Sequence, residues 1–377
     1  MEVKTVITED NKKRFLLVDK EGEPVQPAMK YIKFLDYNGA ARNTLRNYCQ
    51  DLKFFFEFLE QKELSYKNVD IDRMAEFKGF LKNPYKSTKV TPVKPTKPPR
   101  SAATINRIIS TVLKFYDYLM KHDYYENQLS EKLKRTIPGN RKNFKSFLEH
   151  AKREKSTEKN TLFEEEPKKK NFDVVLTKEQ VEDIIKSCNN LRDKFLIYLL
   201  FETGFRISEA LSLWIEDFEP DAQKIHLHDR GELPNLAEIK TVHSPRSIDV
   251  SFDLINMFSD YIAECHTDEV DTNHVFIKLS GNKKYQPMEY EDVMSLFRRI
   301  RAKTGIQVTP HVFRHTHFNI LRKQGWEPEK MKERGGWADI QTVMQIYFHP
   351  DSEELREQWE KTEGFTNLNI NVDKEED

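Results

Sequence analysis

The sequence predicts a mainly α-helical chain of two domains, with a small β-sheet confined to the second. Three observations carry this. At 377 residues the chain exceeds the length that one core usually organises. Apolar residues recur at three- and four-residue spacing over long stretches, the period of a helix with one buried face. Strand-like runs appear only in the second half, at Lys224–Leu227 and Arg246–Val250.

Taken in order, residues 1–24 read as an irregular or partly extended N-terminal arm with little to anchor it. Asn43–Thr44–Leu45 then opens a helix in which Leu45, Tyr48, Leu52, Phe55, Phe56 and Leu59 form one stripe. A second stripe runs through Ile105, Ile108, Ile109, Val112, Tyr116 and Leu119. Between them, KNPYKSTKVTPVKPTKPPR holds too many prolines for a helix and reads as an exposed loop. Residues 25–128 therefore form a small all-helical domain, its aromatic side chains assigned to the core. Residues 129–172 lose the periodicity and read as a charged linker, with a short helix expected at Phe147–Lys155.

The second domain spans 173–365 and opens at Leu176–Thr177, where Thr177 and Gln180 have the spacing of a capping box. Helices follow at about 190–202, 207–215, 252–264 and 289–303, with Lys240 on a turn or strand between the two strand runs. Thr309 and Pro310 suit the N-cap and first position of a further helix. In the tail, 366–377 plus Phe365, the run FTNLNINV alternates apolar and polar residues. It reads equally as a docking strand or as a frayed end.

Composition narrows the function classes. A third of the residues are charged, and no apolar run approaches the roughly 18 residues that span a bilayer. Met1–Lys20 lacks the apolar stretch of a signal peptide. Cys49, Cys188 and Cys265 lie far apart without a CxxC pair, as in a reduced intracellular protein with no zinc site. The net charge of −1 averages over a separation. Lys82–Lys145 holds 15 basic against 4 acidic residues, a net of +11, whereas Asp351 to the end holds 3 against 10, a net of −7. The basic block supplies what phosphate contacts need, and is equally compatible with a solvated lysine-rich linker.

Several residues carry chemistry. In PHVFRHTHF, His311 and Arg314 lie one helical turn apart, a titratable imidazole beside a permanent forked cation. In TGFRISEAL, Arg206 stands at a helix start, where a guanidinium and the helix dipole favour an anion, and Glu209 can hold it from one turn on. Lys240 lies in a polar turn, Trp337 in GGWADIQT, and Tyr347 near a helix end. Each residue alone has an ordinary reading: a surface pair, an intrahelical Arg–Glu contact, a buried indole, a half-buried phenol.

Together and in this order, Arg206, Lys240, His311, Arg314, Trp337 and Tyr347 closely resemble the signature of the tyrosine recombinase (phage integrase) family. Trp337 stands where many members have histidine and others tryptophan. The Trp337–Tyr347 interval is one residue longer than in many members and similar to integrases of conjugative transposons. ARNTLRNYCQDLKFFFEFLEQKEL is more specifically similar to the transposase A proteins of site-specific transposons from Gram-positive bacteria. The resemblance implies a DNA-breaking-rejoining catalytic fold at about 173–365, preceded by a SAM-like helical core-binding domain.

It also implies roles. Tyr347 attacks a DNA phosphate, leaving a 3′-phosphotyrosine and a free 5′-hydroxyl. Arg206 and Arg314 bind the non-bridging oxygens, and Trp337 adds an N–H donor. Lys240 serves as acid to the 5′ oxygen and His311 as acid–base partner of the tyrosine; Glu209 and His315 act as supports. No carboxylate cluster suits a metal, so neither metal nor other cofactor is expected. Double-stranded DNA is the expected partner, gripped in the first domain by Arg42, Thr44 and Arg46 at one helix start and by Asn106 and Arg107 near another. Further copies in a synaptic tetramer and element-encoded accessory proteins are implied as well, in a bacterial cytoplasm at the nucleoid. A type IB-like topoisomerase, or a DNA-binding regulator that keeps the fold without the chemistry, remain as alternatives.

Overall fold

The fold is that of a computed structural model, which describes residues 1–9, 12–83, 100–122, 175–239, 243–348, 355–356 and 359–362. The chain divides into two compact units, Met1–Lys170 and Asn171–Asp377, each with its own hydrophobic core.

The first unit opens on a correction. Residues 1–24 do not form a loosely anchored arm: strands β1 (Glu2–Ile7) and β2 (Lys13–Val18) pair antiparallel, with Glu2 opposite Val18 and Ile7 opposite Lys13. Phe15, Leu17 and Val18 of β2 are buried, and the Cys49 thiol donates to the Phe15 carbonyl at 3.7 Å, which ties the hairpin to the helices. β1 stays largely solvated, so its sequence carries only half of a strand signal.

Helices α1 (Gln26–Tyr37), α2 (Arg42–Gln61), α3 (Ile71–Lys82) and α4 (Ala102–Lys121) complete the unit. The stripes expected on α2 and α4 are buried, except for the partly buried Tyr48. Asp70 caps α3 by accepting from the Arg73 N–H at 2.9 Å, and Ser101 caps α4 by accepting from Thr104 at 3.2 Å. Between α2 and α4, Asp51 is fully buried and accepts from Arg107 at 2.7 Å and from the Thr111 hydroxyl at 2.8 Å. The Pro- and Lys-rich loop, the linker helix at Phe147–Lys155, Lys240 and the C-terminal tail lie outside the described residues.

The second unit begins with α5 (Lys178–Ser187), started by the expected Thr177–Gln180 capping box. α6 (Leu191–Thr203) buries Phe195, Leu196, Ile197, Leu199 and Leu200, too many directions for one face, and is the central helix of the core. The following helix, expected over 207–215, stops early: α7 spans Ile207–Leu211. The Asp217 carboxylate accepts the Trp214 N–H at 2.8 Å and draws the backbone into a separate 3₁₀ turn at Ile215–Asp217.

Strands β3 (Phe218–Glu219), β4 (Lys224–Leu227) and β5 (Arg246–Asp249) form an antiparallel sheet in that order. Helices α8 (Phe252–Cys265), α9 (Tyr290–Thr304), α10 (Pro310–Lys323), α11 (Pro328–Gly335) and α12 (Ile340–Tyr347) follow. Pro310 takes the first helical position of α10, although the Thr309 side chain makes no capping hydrogen bond. Among the described residues, no helix is long and apolar enough to cross a membrane.

Candidate active site

The site forms where α6, α7, α10, α11 and α12 present their ends or buried faces to one another. Gly204 makes the first turn possible. It ends α6 at φ +64°, in the left-handed region, and a Cβ there would lie 2.6 Å from the His317 ring. Its carbonyl accepts from Arg314 Nη1 at 2.7 Å, and two residues on Arg206 caps α7.

Glu209 organises the arginines. Its Oε2 accepts the Arg206 backbone N–H at 2.9 Å and its Oε1 accepts from Arg206 Nη1 at 2.8 Å. Arg246 Nη2 and Nη1 donate to the same carboxylate at 3.0 and 3.2 Å. Burial alone would push this carboxyl up, but Arg246, Arg314 and Arg206 outweigh it and hold Glu209 below the ordinary carboxylate range. Three guanidiniums around one buried carboxylate leave an excess of positive charge, the condition for an anion site.

The end of α11 closes that site. The Gly335 carbonyl accepts from Arg314 Nη2 at 2.7 Å and from Arg206 Nη1 at 3.2 Å, and the Gly336 carbonyl from Arg206 Nη2 at 3.4 Å. Arg314 is almost fully buried, and burial followed by the nearby Arg206 charge pushes it down to about 9; it remains a cation at neutral pH. Its guanidinium lies 4.3 Å from the centre of the partly buried Trp337 ring, within cation–π range.

Tyr347 ends α12 in the same cluster, its ring 5.8 Å from Trp337, 5.7 Å from Phe318 and 5.2 Å from His315. The side chain is buried, and burial pushes its phenol up to about 12 even though Arg314 and Arg206 pull it down. The Trp337 ring that meets Tyr347 also carries the Arg314 guanidinium, so the phenol shares a cluster with that arginine. The fold thus brings Arg206, Glu209, Arg314, His315, Trp337 and Tyr347 together. His311 stands exposed on the first turn of α10, one turn before Arg314. Among the described residues, no group of His, Cys, Asp and Glu is arranged to hold a metal ion.

Of the residues expected to grip DNA, Arg46 and Arg107 are exposed, Thr44 and Asn106 half-buried, and Arg42 buried. Arg107 is also engaged by Asp51.

Sequence reasoning missed four contributors: Arg246, Arg334, His317 and the Gly335–Gly336 pair. Arg334 Nε donates to His317 Nε2 at 3.2 Å, and His317 Nδ1 meets the Phe201 carbonyl at 3.1 Å. Arginine only donates and a carbonyl only accepts, so His317 is the neutral Nδ1–H tautomer. Burial and then the Arg334 charge push it down to about 3. The doubled glycine before Trp337 was the one visible signal. A Cβ at Gly335 would lie 1.9 Å from the indole ring, so its absence makes room for tryptophan.

Comparison with known proteins identifies the family of the whole chain. The phage integrase family matches residues 174–354, and the phage integrase N-terminal SAM-like domain matches residues 29–123. Transposase A from transposon Tn554 of Staphylococcus aureus is 35% identical over 92% of this chain and 93% of its own length. Tyrosine recombinase XerD of Staphylococcus haemolyticus is 22% identical over 88% of this chain and 96% of its own. Among solved structures, the Tn1549 transposon integrase in complex with circular intermediate DNA has a TM-score of 0.60, with 18% identity, over 89% of this chain and 98% of that one. XerH site-specific recombinase bound to difH substrate has a TM-score of 0.57, with 19% identity, over 90% and 85% of the two chains. With a helical SAM-like domain, a catalytic unit matched over its core and a relative similar along nearly the whole sequence, the chain belongs to the phage integrase family of DNA-cleaving and rejoining tyrosine recombinases.

Proposed function

We propose that this recombinase cuts and rejoins double-stranded DNA through Tyr347, to integrate or excise a mobile element. The observation that carries this reading is the burial of Tyr347 against Trp337, whose ring also carries the Arg314 guanidinium. In the first step the phenol oxygen bonds to the scissile phosphorus, and the bond to the 5′ oxygen breaks. The product is a 3′-phosphotyrosyl ester and a free 5′-hydroxyl. The ester conserves the bond energy, so a 5′-hydroxyl from another strand can reverse the step without ATP.

Each proton and charge needs a keeper. Charge building on the non-bridging oxygens is met by donors of Arg206 and Arg314 beyond those they give to the glycine carbonyls and Glu209. Trp337 packs the Arg314 guanidinium and offers its indole N–H. A phenol at about 12 is neutral at working pH and must lose its proton as it attacks. His311 takes that proton and Lys240 supplies one to the departing 5′ oxygen. His315 supports the tyrosine ring, and Glu209 holds Arg206.

The transposon relative and the DNA-bound transposon integrase of similar fold support a mobile-element substrate. Strand exchange between two sites needs several active sites, hence a synaptic tetramer of this or related chains, with accessory proteins encoded by the element. Action in the bacterial cytoplasm, at the nucleoid, follows from that substrate. In the first unit, exposed Arg46 and Arg107 are the leading phosphate contacts, joined by Thr44 and Asn106; Arg42 contributes from a buried position.

The test begins by sequencing DNA that stays attached to wild-type protein after denaturation, with Tyr347→Phe as the blank. The recovered site is then built into a nicked suicide duplex and resolved on denaturing gels. Wild type is expected to form a covalent adduct and Tyr347→Phe none, with DNA affinity retained. An adduct at another residue overturns the assignment. Supercoil relaxation without recombination between two sites would instead identify a topoisomerase.

A further inference from the structure

We propose that Arg246 is a positioning residue of this active site: it locks Glu209 to the end of α11, and so holds Arg206 and Arg314 at the angle the scissile phosphate requires. The inference rests on the roles proposed above for those two arginines and Tyr347.

Arg246 is the first residue of β5, and its side chain is only 8% exposed. Its Nε donates to the Arg334 carbonyl at 2.6 Å. Nη1 donates to the Ser244 carbonyl at 2.7 Å and to Glu209 Oε1 at 3.2 Å, and Nη2 to Glu209 Oε2 at 3.0 Å. A guanidinium has five N–H groups, and four are committed to these protein oxygens. Arg314, by comparison, gives two hydrogen bonds to protein carbonyls. Arg246 is therefore arranged to hold protein, whereas Arg314 keeps donors for a ligand.

What Arg246 holds is what the phosphate-binding arginines rest on. Glu209 also accepts from the Arg206 side chain and backbone. The Arg334 carbonyl directly precedes the Gly335 and Gly336 carbonyls, which accept from Arg314 and Arg206. The Arg246 guanidinium also lies close against Gly336, where a Cβ would approach Nη1 to 2.7 Å. Both supports of Arg206 thus meet on one planar side chain. A lysine cannot reproduce this: three donors on one nitrogen do not span Glu209 and the Arg334 carbonyl at once.

The test compares wild type, Arg246→Lys and Arg246→Gln in the full chain on the nicked suicide duplex, in single turnover at saturating protein. A second duplex carries a neutral methylphosphonate at the scissile position. Adduct formation on the normal phosphate is expected to fall about 100-fold in both variants, the scale of a misplaced catalytic group, with DNA affinity held within about twofold. On the methylphosphonate the loss should shrink to less than about tenfold, because less charge then depends on the arginines. Wild-type cleavage by either folded variant, or an equal loss on both substrates, overturns the positioning role. Failure of the parent reading looks different: Tyr347→Phe would then still form the adduct in the Arg246 background.

Discussion

The Arg314 guanidinium stacks on the Trp337 ring at 4.3 Å and donates to the carbonyl of Gly335, two residues before that tryptophan, at 2.7 Å. One short segment, Gly335–Gly336–Trp337, therefore supplies both a face and an edge that orient the most buried arginine of the site. The missing side chain at Gly335 lets the indole fold back over its own backbone.

That arrangement predicts coupling between positions 335 and 337. Gly335→Ala places a methyl 1.9 Å from the indole and should destabilise the second unit by about 2 kcal/mol. In a Trp337→His background the smaller ring leaves space, and the same change should cost at least about 1 kcal/mol less. Urea unfolding of the four proteins of the cycle measures this. Additive effects would show that the ring does not need the glycine.

The Tyr347 phenol should titrate late. Its folded value, raised to about 12, lies above the unfolded value of about 10. It therefore contributes stability that is fully present below pH 10 and lost as pH rises towards 12. In DNA-free protein, the phenolate absorbance difference between wild type and Tyr347→Phe should be absent at pH 10 and emerge only above it. Ionisation at the ordinary value would mean a solvated phenol.

At the acid end, His317 and His274 set the response. Burial and then neighbouring arginine charge push them down to about 3 and about 4. Their depressed values favour the folded state above the unfolded histidine value of about 6.5, and the contribution is lost as pH falls through that range. The melting temperature of the second unit should drop between pH 6.5 and 4, and His274→Phe should flatten the drop. An unchanged acid slope in that variant would remove His274 from the explanation.

In the first unit, Asp51 and Arg107 make a separate prediction. Burial raises the Asp51 carboxyl above the ordinary value, and Thr111 and Arg107 oppose that rise. Arg107→Ala should cost about 1–2 kcal/mol at neutral pH, because the buried Asp51 carboxylate loses a cationic donor and keeps the Thr111 hydroxyl. The cost should be smaller at acidic pH than at neutral pH, because protonation removes the stranded charge. Hydrogen exchange of α2 and α4 peptides reads this locally; equal losses at both pH values would contradict it.

Legibility tracked the range of the interaction. The Thr177–Gln180 capping box and the stripes on α2 and α4 depend on neighbours within one or two turns, and they appear in the structure as read. The β1–β2 hairpin was missed because β1 shows water most of its residues and its pairing partner, not its own pattern, makes it a strand. The hydrogen bond from Arg107 to Asp51 was missed because nothing nearby in sequence announces a partner 56 residues away.

By itself the sequence determined the helical character of both units and the set of chemical groups in their order, since periodicity and residue type are local properties. Only the tertiary structure decided how those groups are used. It buries Tyr347 and joins Arg206 to a carbonyl 129 residues on. It commits Arg246 to Glu209 across 37 residues and turns Arg314 to the carbonyls of Gly204 and Gly335. Burial and hydrogen-bond commitment are properties of the packed surroundings, and those surroundings are assembled from segments whose closeness no local pattern encodes.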